Sequence, residues 1–119
     1  MTAAVDGVVL CRVGGARFAA PCDEVDAIAD AEGELVDPSV AFGEVLAPVG
    51  RALQAAGQLL RVDSVDVVAS PGLSVLPTPL ALAGLVGGAL LGFVELSGQL
   101  WPLVSVRGLL EWLSTEAAP

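Results

Sequence analysis

Two thiols and a surplus of carboxylates are the reactive groups in this chain. Cys11 and Cys22 could serve as nucleophiles, but the sequence has no histidine to take their protons, and an unactivated thiol is a poor catalyst. The absence of histidine and tyrosine also removes triad chemistry and most zinc sites. Glu95 sits in an apolar run, where desolvation could raise its pKa; a carboxylate beside a turn is the plainer reading. Gly84, Gly87 and Gly88 lack the Lys-Ser/Thr that completes a phosphate-binding loop. Seven of the fourteen acids fall between Asp23 and Asp37, yet they make no D-x-D-x-D-G run with a glutamate at the twelfth place, so no calcium loop is expected. The expectation is no catalytic residue, no metal and no cofactor. Binding residues remain. Trp112 lies at the rim of an apolar helical stripe, where an aromatic can anchor a partner or pack on its own domain.

Fourteen acids against five arginines, with no lysine, give a formal net charge of −9. Nucleic acid and anionic membrane surfaces both require clustered cations and are excluded as partners on this ground. Residues 67 to 94 carry no charge, but prolines 71, 77 and 79 leave only about 16 unbroken residues against the roughly 20 a span needs; no membrane insertion is expected. The N-terminus carries Asp6 and no basic segment, so no secretory signal is read there. With two cysteines, reduced thiols in a cytoplasmic protein are the default.

The elements that position these groups are mostly strands. Gly7–Val13 is β-branched, Gly14-Gly15 turns the chain, and Ala16–Ala20 returns. An odd-sum register puts Val9, Cys11, Val13, Phe18 and Ala20 on one side and both Arg12 and Arg17 on the other. From Cys22, the spacing of Val25, Ile28 and Ala29 predicts a short helix with acids in its first turn. A second helix is expected near Gly50–Ala56. Gln58–Val68 reads as a strand with a bulge or bend at Asp63-Ser64. The proline-marked Ser70–Pro79 leads into Leu80–Ala89, read as a buried helix. The chain closes on Gly92–Leu113: a hairpin turning at Ser97-Gly98 with Leu96 opposite Gln99, then a helix capped by Ser105 with Val106, Leu109, Leu110 and Leu113 on one face. One hairpin face carries Val94, Leu96, Trp101 and Leu103; the other carries Leu91, Phe93, Leu100 and Val104. Since both faces are apolar, one lines a core and the other meets a helix or a partner. Phe93 and Trp101 therefore join Trp112 as candidate partner-binding residues.

Four segments, in order, resemble the CheW-like domain family of chemotaxis coupling proteins. VVLCRVGGARFAAPCDEVDAI resembles the family's opening strand, turn, aromatic-bearing strand and acidic helix. LLRVDSVDVV resembles its V-D-x-V-x-x-V strand, SVLPTPL its proline-marked linker, and GFVELSGQLWPLVSVRGLL its closing hairpin and helix. The likeness is clear over residues 8–29 and 58–113 of what reads as a single domain, 1–119. It implies a mainly β fold with short helices, built from small SH3-like β-barrels with a C-terminal helix. Residues 30–57 stand in place of a longer family segment, so the second barrel is expected to be reduced. That segment normally supplies an N-L-R-G turn whose arginine contacts receptor, and the nearest candidate here, Ala31-Glu32-Gly33, has no arginine. The chain thus looks like a short, diverged, FrzB-like member.

The resemblance implies a non-catalytic adaptor of a bacterial chemosensory system. It would link or modulate a chemoreceptor-like coiled coil and a CheA-like histidine kinase, with a reduced set of partners. By position, the resemblance adds Val25 and Ile28 to the partner-binding candidates. The alternative is a self-associating β-domain unrelated to chemosensing, a homodimer that buries the hairpin's second face isologously.

Overall fold

The computed structural model describes residues 3–116. Among the described residues there are ten strands: β1 (Ala3–Val5), β2 (Val8–Val13), β3 (Ala16–Pro21), β4 (Ala27–Asp30), β5 (Arg51–Ala55), β6 (Gln58–Val62), β7 (Ser64–Val68), β8 (Leu73–Leu76), β9 (Leu90–Leu96) and β10 (Gln99–Val104). Two helices accompany them, the one-turn α1 (Ser39–Phe42) and the closing α2 (Val106–Glu116). Seven strands form one sheet in the order β1-β8-β9-β10-β3-β2-β7, and β4-β5-β6 form a second. The protein is mainly β with a C-terminal helix, as expected.

The two hairpins fold as their alternation dictates. In β2–β3, Cys11 faces Phe18, Val9 faces Ala20, and Arg12 faces Arg17. Val9, Cys11, Val13, Phe18 and Ala20 all enter one core, together with Leu53 and Leu60 of the second sheet and Val106, Leu109, Leu110 and Leu113 of α2. Because successive strand residues point to opposite faces, Val8 and Leu10 turn instead to a second core with Val75, Val94, Trp101 and Leu103. In β9–β10, Leu96 pairs with Gln99, and Ser97 and Gly98 both have positive φ (51° and 78°), the type I′ geometry that matches strand twist. β10 then lies parallel to β3, with Leu103 beside Ala19.

Asp63 is where the chain changes sheets. β6 pairs with β5 in the second sheet, while β7 pairs with β2 in the first. The expected bend is thus the crossing point between the two layers.

Three helices expected from the sequence are replaced. After a single 3-10 turn at Cys22–Glu24, the segment holding Ile28 and Ala29 becomes β4, pairing Ile28 with Leu53 and Ala29 with Ala52. Three apolar residues over five positions fit either period, and an open edge on β5 settles which one forms. Gly50–Ala56 is β5 rather than a helix; its alanines are good helix formers, but Ala56 and Gly57 adopt positive φ (50° and 73°) and fold it into a hairpin with β6. Leu80–Ala89 is not a buried helix. It forms two 3-10 turns, Leu80–Leu82 and Leu85–Gly88, and Leu80 and Leu85 are exposed. Left-handed backbone at Val86 and Gly87 interrupts any longer helix.

Between β4 and β5 the only regular element is α1. Val36 bridges to Leu60 in parallel fashion, its N–H donating to Leu59 O at 2.7 Å and its carbonyl accepting from Arg61 N at 2.9 Å, which extends the second sheet past β6. Stacking of Phe42 on Phe18, with ring centroids 5.2 Å apart, fixes α1 over the first core.

Candidate functional site

The five candidate residues fall into two groups, one along the margin of the α2 core and one on the closing hairpin. Val25, Ile28 and Trp112 are half-buried along the margin of the core that α2 covers. Phe93 and Trp101 belong to the closing hairpin, on opposite faces of the larger sheet.

Trp101 is inside: 8% of it is exposed. Its ring carries the Arg17 guanidinium at 4.6 Å from the centroid and that of Arg12 at 5.9 Å. Arg17 also donates to Gln99 Oε1 at 2.6 Å and to Leu100 O at 3.4 Å. The arginine pair that the β2–β3 register turns away from the first core therefore roofs Trp101 and ties down the hairpin tip. Cation–π contact of this kind contributes about 0.5–2 kcal/mol. Trp101 offers a partner only its rim.

Phe93 lies on the open face. It pairs with Pro102 on one side and with Leu76 on the other, and Leu100 sits opposite Glu95 one step along. Leu76, Leu91 and Leu100 are exposed. The hairpin face read as Leu91, Phe93, Leu100 and Val104 is thus divided: Val104 is covered by α2, whereas Leu91 and Leu100 are exposed and Phe93 is half-buried between them. Leu103 and Val104 are both buried because the strand alternates between two covered faces, Leu103 entering the second core and Val104 the first.

Trp112 rests on the segment before β9. Its Cδ1 lies 3.0 Å from where a Gly87 Cβ would stand, so Gly87 is required for the ring to seat. Trp112, Gly87, Gly108, Glu111 and Thr115 line a shallow concavity at this corner.

α2 is held from a distance. Ser105 Oγ accepts from Gly108 N at 3.1 Å, as expected of an N-cap. The Glu24 carboxylate completes the cap, accepting from Val106 N at 2.8 Å and Ser105 Oγ at 3.0 Å. A carboxylate at a helix N-terminus satisfies free amides and complements the dipole. One of the acids in the cluster after Cys22 is therefore a structural cap.

Sequence reasoning missed the most connected polar pair. Asp63 Oδ2 accepts from Gly14 N at 2.7 Å, and its Oδ1 accepts from Ala47 N at 2.9 Å and Arg61 Nη1 at 3.1 Å. Arg61 Nη2 donates to Ala47 O at 2.5 Å. Burial pushes the Asp63 pKa up, but the two amides and the guanidinium outweigh it and hold the carboxyl below its ordinary 3.8. The signal was the R-V-D spacing: residues two apart on an extended chain share a side.

The thiols are structural in placement. Burial pushes Cys11 up to about 12. Burial and, after it, the charge of Asp23 raise Cys22. Both raise the cost of forming the reactive thiolate. Among the described residues no three His, Cys, Asp or Glu side chains are grouped to hold a metal ion, and no helix is long and apolar enough to cross a membrane.

Comparison with family models and with curated proteins finds no match to this chain. Among solved structures, the scaffolding protein TtCheW from Thermoanaerobacter tengcongensis is similar, with a TM-score of 0.67 at 14% sequence identity, covering 90% of this chain and 93% of that one. The fold is CheW-like. At this identity the likeness speaks for the fold, and it places the closing hairpin and helix in a fold shared with a scaffolding protein. Within the CheW-like fold of this chain, the second sheet is small: three strands and the Val36 bridge.

Proposed function

We propose that this protein is a non-catalytic adaptor of a bacterial chemosensory system, acting in the cytoplasm to link or modulate a chemoreceptor-like coiled coil and a CheA-like histidine kinase. The observation that carries the proposal is the CheW-like fold over 90% of the chain, shared with a scaffolding protein. Adaptors work by presenting surface. This chain presents Phe93 in an apolar row with Leu76, Leu91 and Leu100, and Val25, Ile28 and Trp112 along the margin of the α2 core. Apolar patches of this kind supply affinity, and the −9 net charge sets partner choice and encounter rate. A reduced set of partners fits the small second sheet and the absence of the N-L-R-G turn.

The test is titration calorimetry of the purified protein against a chemoreceptor cytoplasmic tip fragment and, separately, against the regulatory domain of a chemosensory histidine kinase. Binding of at least one, weakened by Phe93→Ser or Ile28→Ser, is the expected result. No binding to either at protein concentrations up to about 1 mM, a free energy weaker than about −4 kcal/mol, overturns the adaptor reading. A second reading, self-association, has one observation in its favour, the uncovered apolar row on the β8–β9–β10 face. Light scattering that shows a tight dimer broken by Leu100→Asp would select it.

A further inference from the structure

The loop from Gly43 to Gly50 joins α1 to β5 without regular structure, yet it is firmly seated. Its central residue, Ala47, is held by both backbone groups: the N–H by Asp63 and the carbonyl by Arg61. Leu46 packs against the first core. Two glycines make room for the loop. A Cβ at Gly14 would stand 2.7 Å from Val45 O and 2.8 Å from Glu44 Cβ. A Cβ at Gly50 would collide with the Arg61 guanidinium and Val62 O.

What this seated loop displays is apolar. Val45 is 84% exposed and Val49 82%, and Val40 of α1 is exposed as well. Loops are usually polar at their tips because apolar groups gain nothing there. Holding two valines outward on a backbone fixed by an ion pair is an arrangement that favours contact with something else, since little ordering entropy remains to be lost on binding. Val49 lines a concavity together with Pro48, Gly50, Arg61 and the Asp30–Glu32 segment. From Asp30 to Gly50 the chain carries five carboxylates, Asp30, Glu32, Glu34, Asp37 and Glu44, and no cation. Arg61 is engaged by Asp63, and Arg51 lies 3.8 Å from Asp30.

We propose that the Gly43–Gly50 loop is a docking element for a basic amphipathic helix of a partner protein. Val45 and Val49 meet its apolar stripe, and the carboxylates of the Asp30–Glu32 segment and of Glu44 meet its lysines or arginines. Charge complementarity selects this occupant. A second copy of the chain would bring the same five carboxylates against themselves, and like charges across an interface are disfavoured. A helix with basic flanks supplies both the apolar anchors and the opposite charge on one face. This site is separate from the Phe93 row, and the proposal stands independently of the chemosensory reading.

The probe is a synthetic amphipathic helix of leucine and lysine, titrated into the isotope-labelled full chain at about 0.15 M salt, where exposed long-range attraction is largely screened. Amide resonances of residues 30–32 and 43–50 are expected to shift saturably. Val45→Ser with Val49→Ser keeps the charge and the buried core, and should weaken binding about tenfold or more, the equivalent of about 1.4 kcal/mol. A matched leucine–glutamate helix should not bind. The proposal is overturned if the shifts centre elsewhere, if the double serine variant binds as tightly as the parent, or if the acidic helix binds equally well.

Discussion

Arg61 and Asp63 form a clasp at the point where the chain passes from one sheet to the other. Arg61 Nη1 lies 3.1 Å from Asp63 Oδ1, and their side chains are 11% and 12% exposed. Between them they hold the Ala47 N–H and carbonyl and the Gly14 amide. One ion pair therefore joins the β2–β3 turn, the Gly43–Gly50 loop and the β6–β7 crossing.

Removing the carboxylate should be costly. Asp63→Ala leaves two amides and a guanidinium without their acceptor, and is expected to destabilise the protein by about 2–3 kcal/mol. Denaturant unfolding measures this, and exchange of the Ala47 and Gly14 amides should accelerate together.

The same carboxylate makes stability depend on acid. Its folded-state pKa is depressed below 3.8, so its contribution is complete above the unfolded value and is lost as pH falls through the folded one. Stability should fall with decreasing pH below about 4. Asp63→Asn should flatten that slope, which unfolding curves at several acidic pH values would reveal.

The two thiols should differ in reactivity. Cys11 is buried and raised to about 12, while Cys22 is half-buried and less shielded. Alkylation at about pH 8 should label Cys22 first, with Cys11 labelled only as the protein unfolds. Mass spectrometry of the native protein resolves the order.

Two aromatic and aliphatic positions in the closing unit should separate. Leu103 is fully buried beside Ala19, and Leu103→Asp should prevent folding because an unpaired carboxylate cannot be accommodated there. Trp112 is half-buried over Gly87, so Trp112→Ala should stay folded and lose about 1–2 kcal/mol. Circular dichroism and thermal melts distinguish the two.

The helix cap is a long-range one. Glu24→Ala removes the acceptor for Val106 N and Ser105 Oγ, and is expected to cost about 1–2 kcal/mol, the usual scale for losing a cap. The melting temperature of Glu24→Ala against Ser105→Ala measures how the two caps share the load.

Much of this fold could be read from local pattern. The Gly14-Gly15 and Ser97-Gly98 hairpins, their registers, the Ser105 cap and the Val106–Leu113 stripe all came from strict alternation or helical spacing. Those signals are strong because side-chain direction is fixed by the backbone period itself. The order of four segments also pointed to the CheW-like fold. By contrast, Ile28-Ala29, Arg51–Ala55 and Leu80–Ala89 were read as helices, and two became strands. Short apolar runs carry no decisive period, and a hydrogen-bonding edge settled the outcome: Ile28-Ala29 met β5 across the α1 segment, and β5 met β6 across the Ala56-Gly57 turn.

The candidate site divides in the same way. The sequence alone determined that both hairpin faces are apolar, that acid crowds the first third of the chain, and that no histidine is present to activate a thiol. Only the tertiary structure decided that Trp101 lies beneath Arg17, that Phe93 pairs half-buried with an exposed Leu76, and that Glu24 caps a helix from 82 residues away. It also decided that Arg61 and Asp63 clasp Ala47. A side chain's type and phase are local properties, whereas its burial and its partners depend on which surfaces the whole chain brings together.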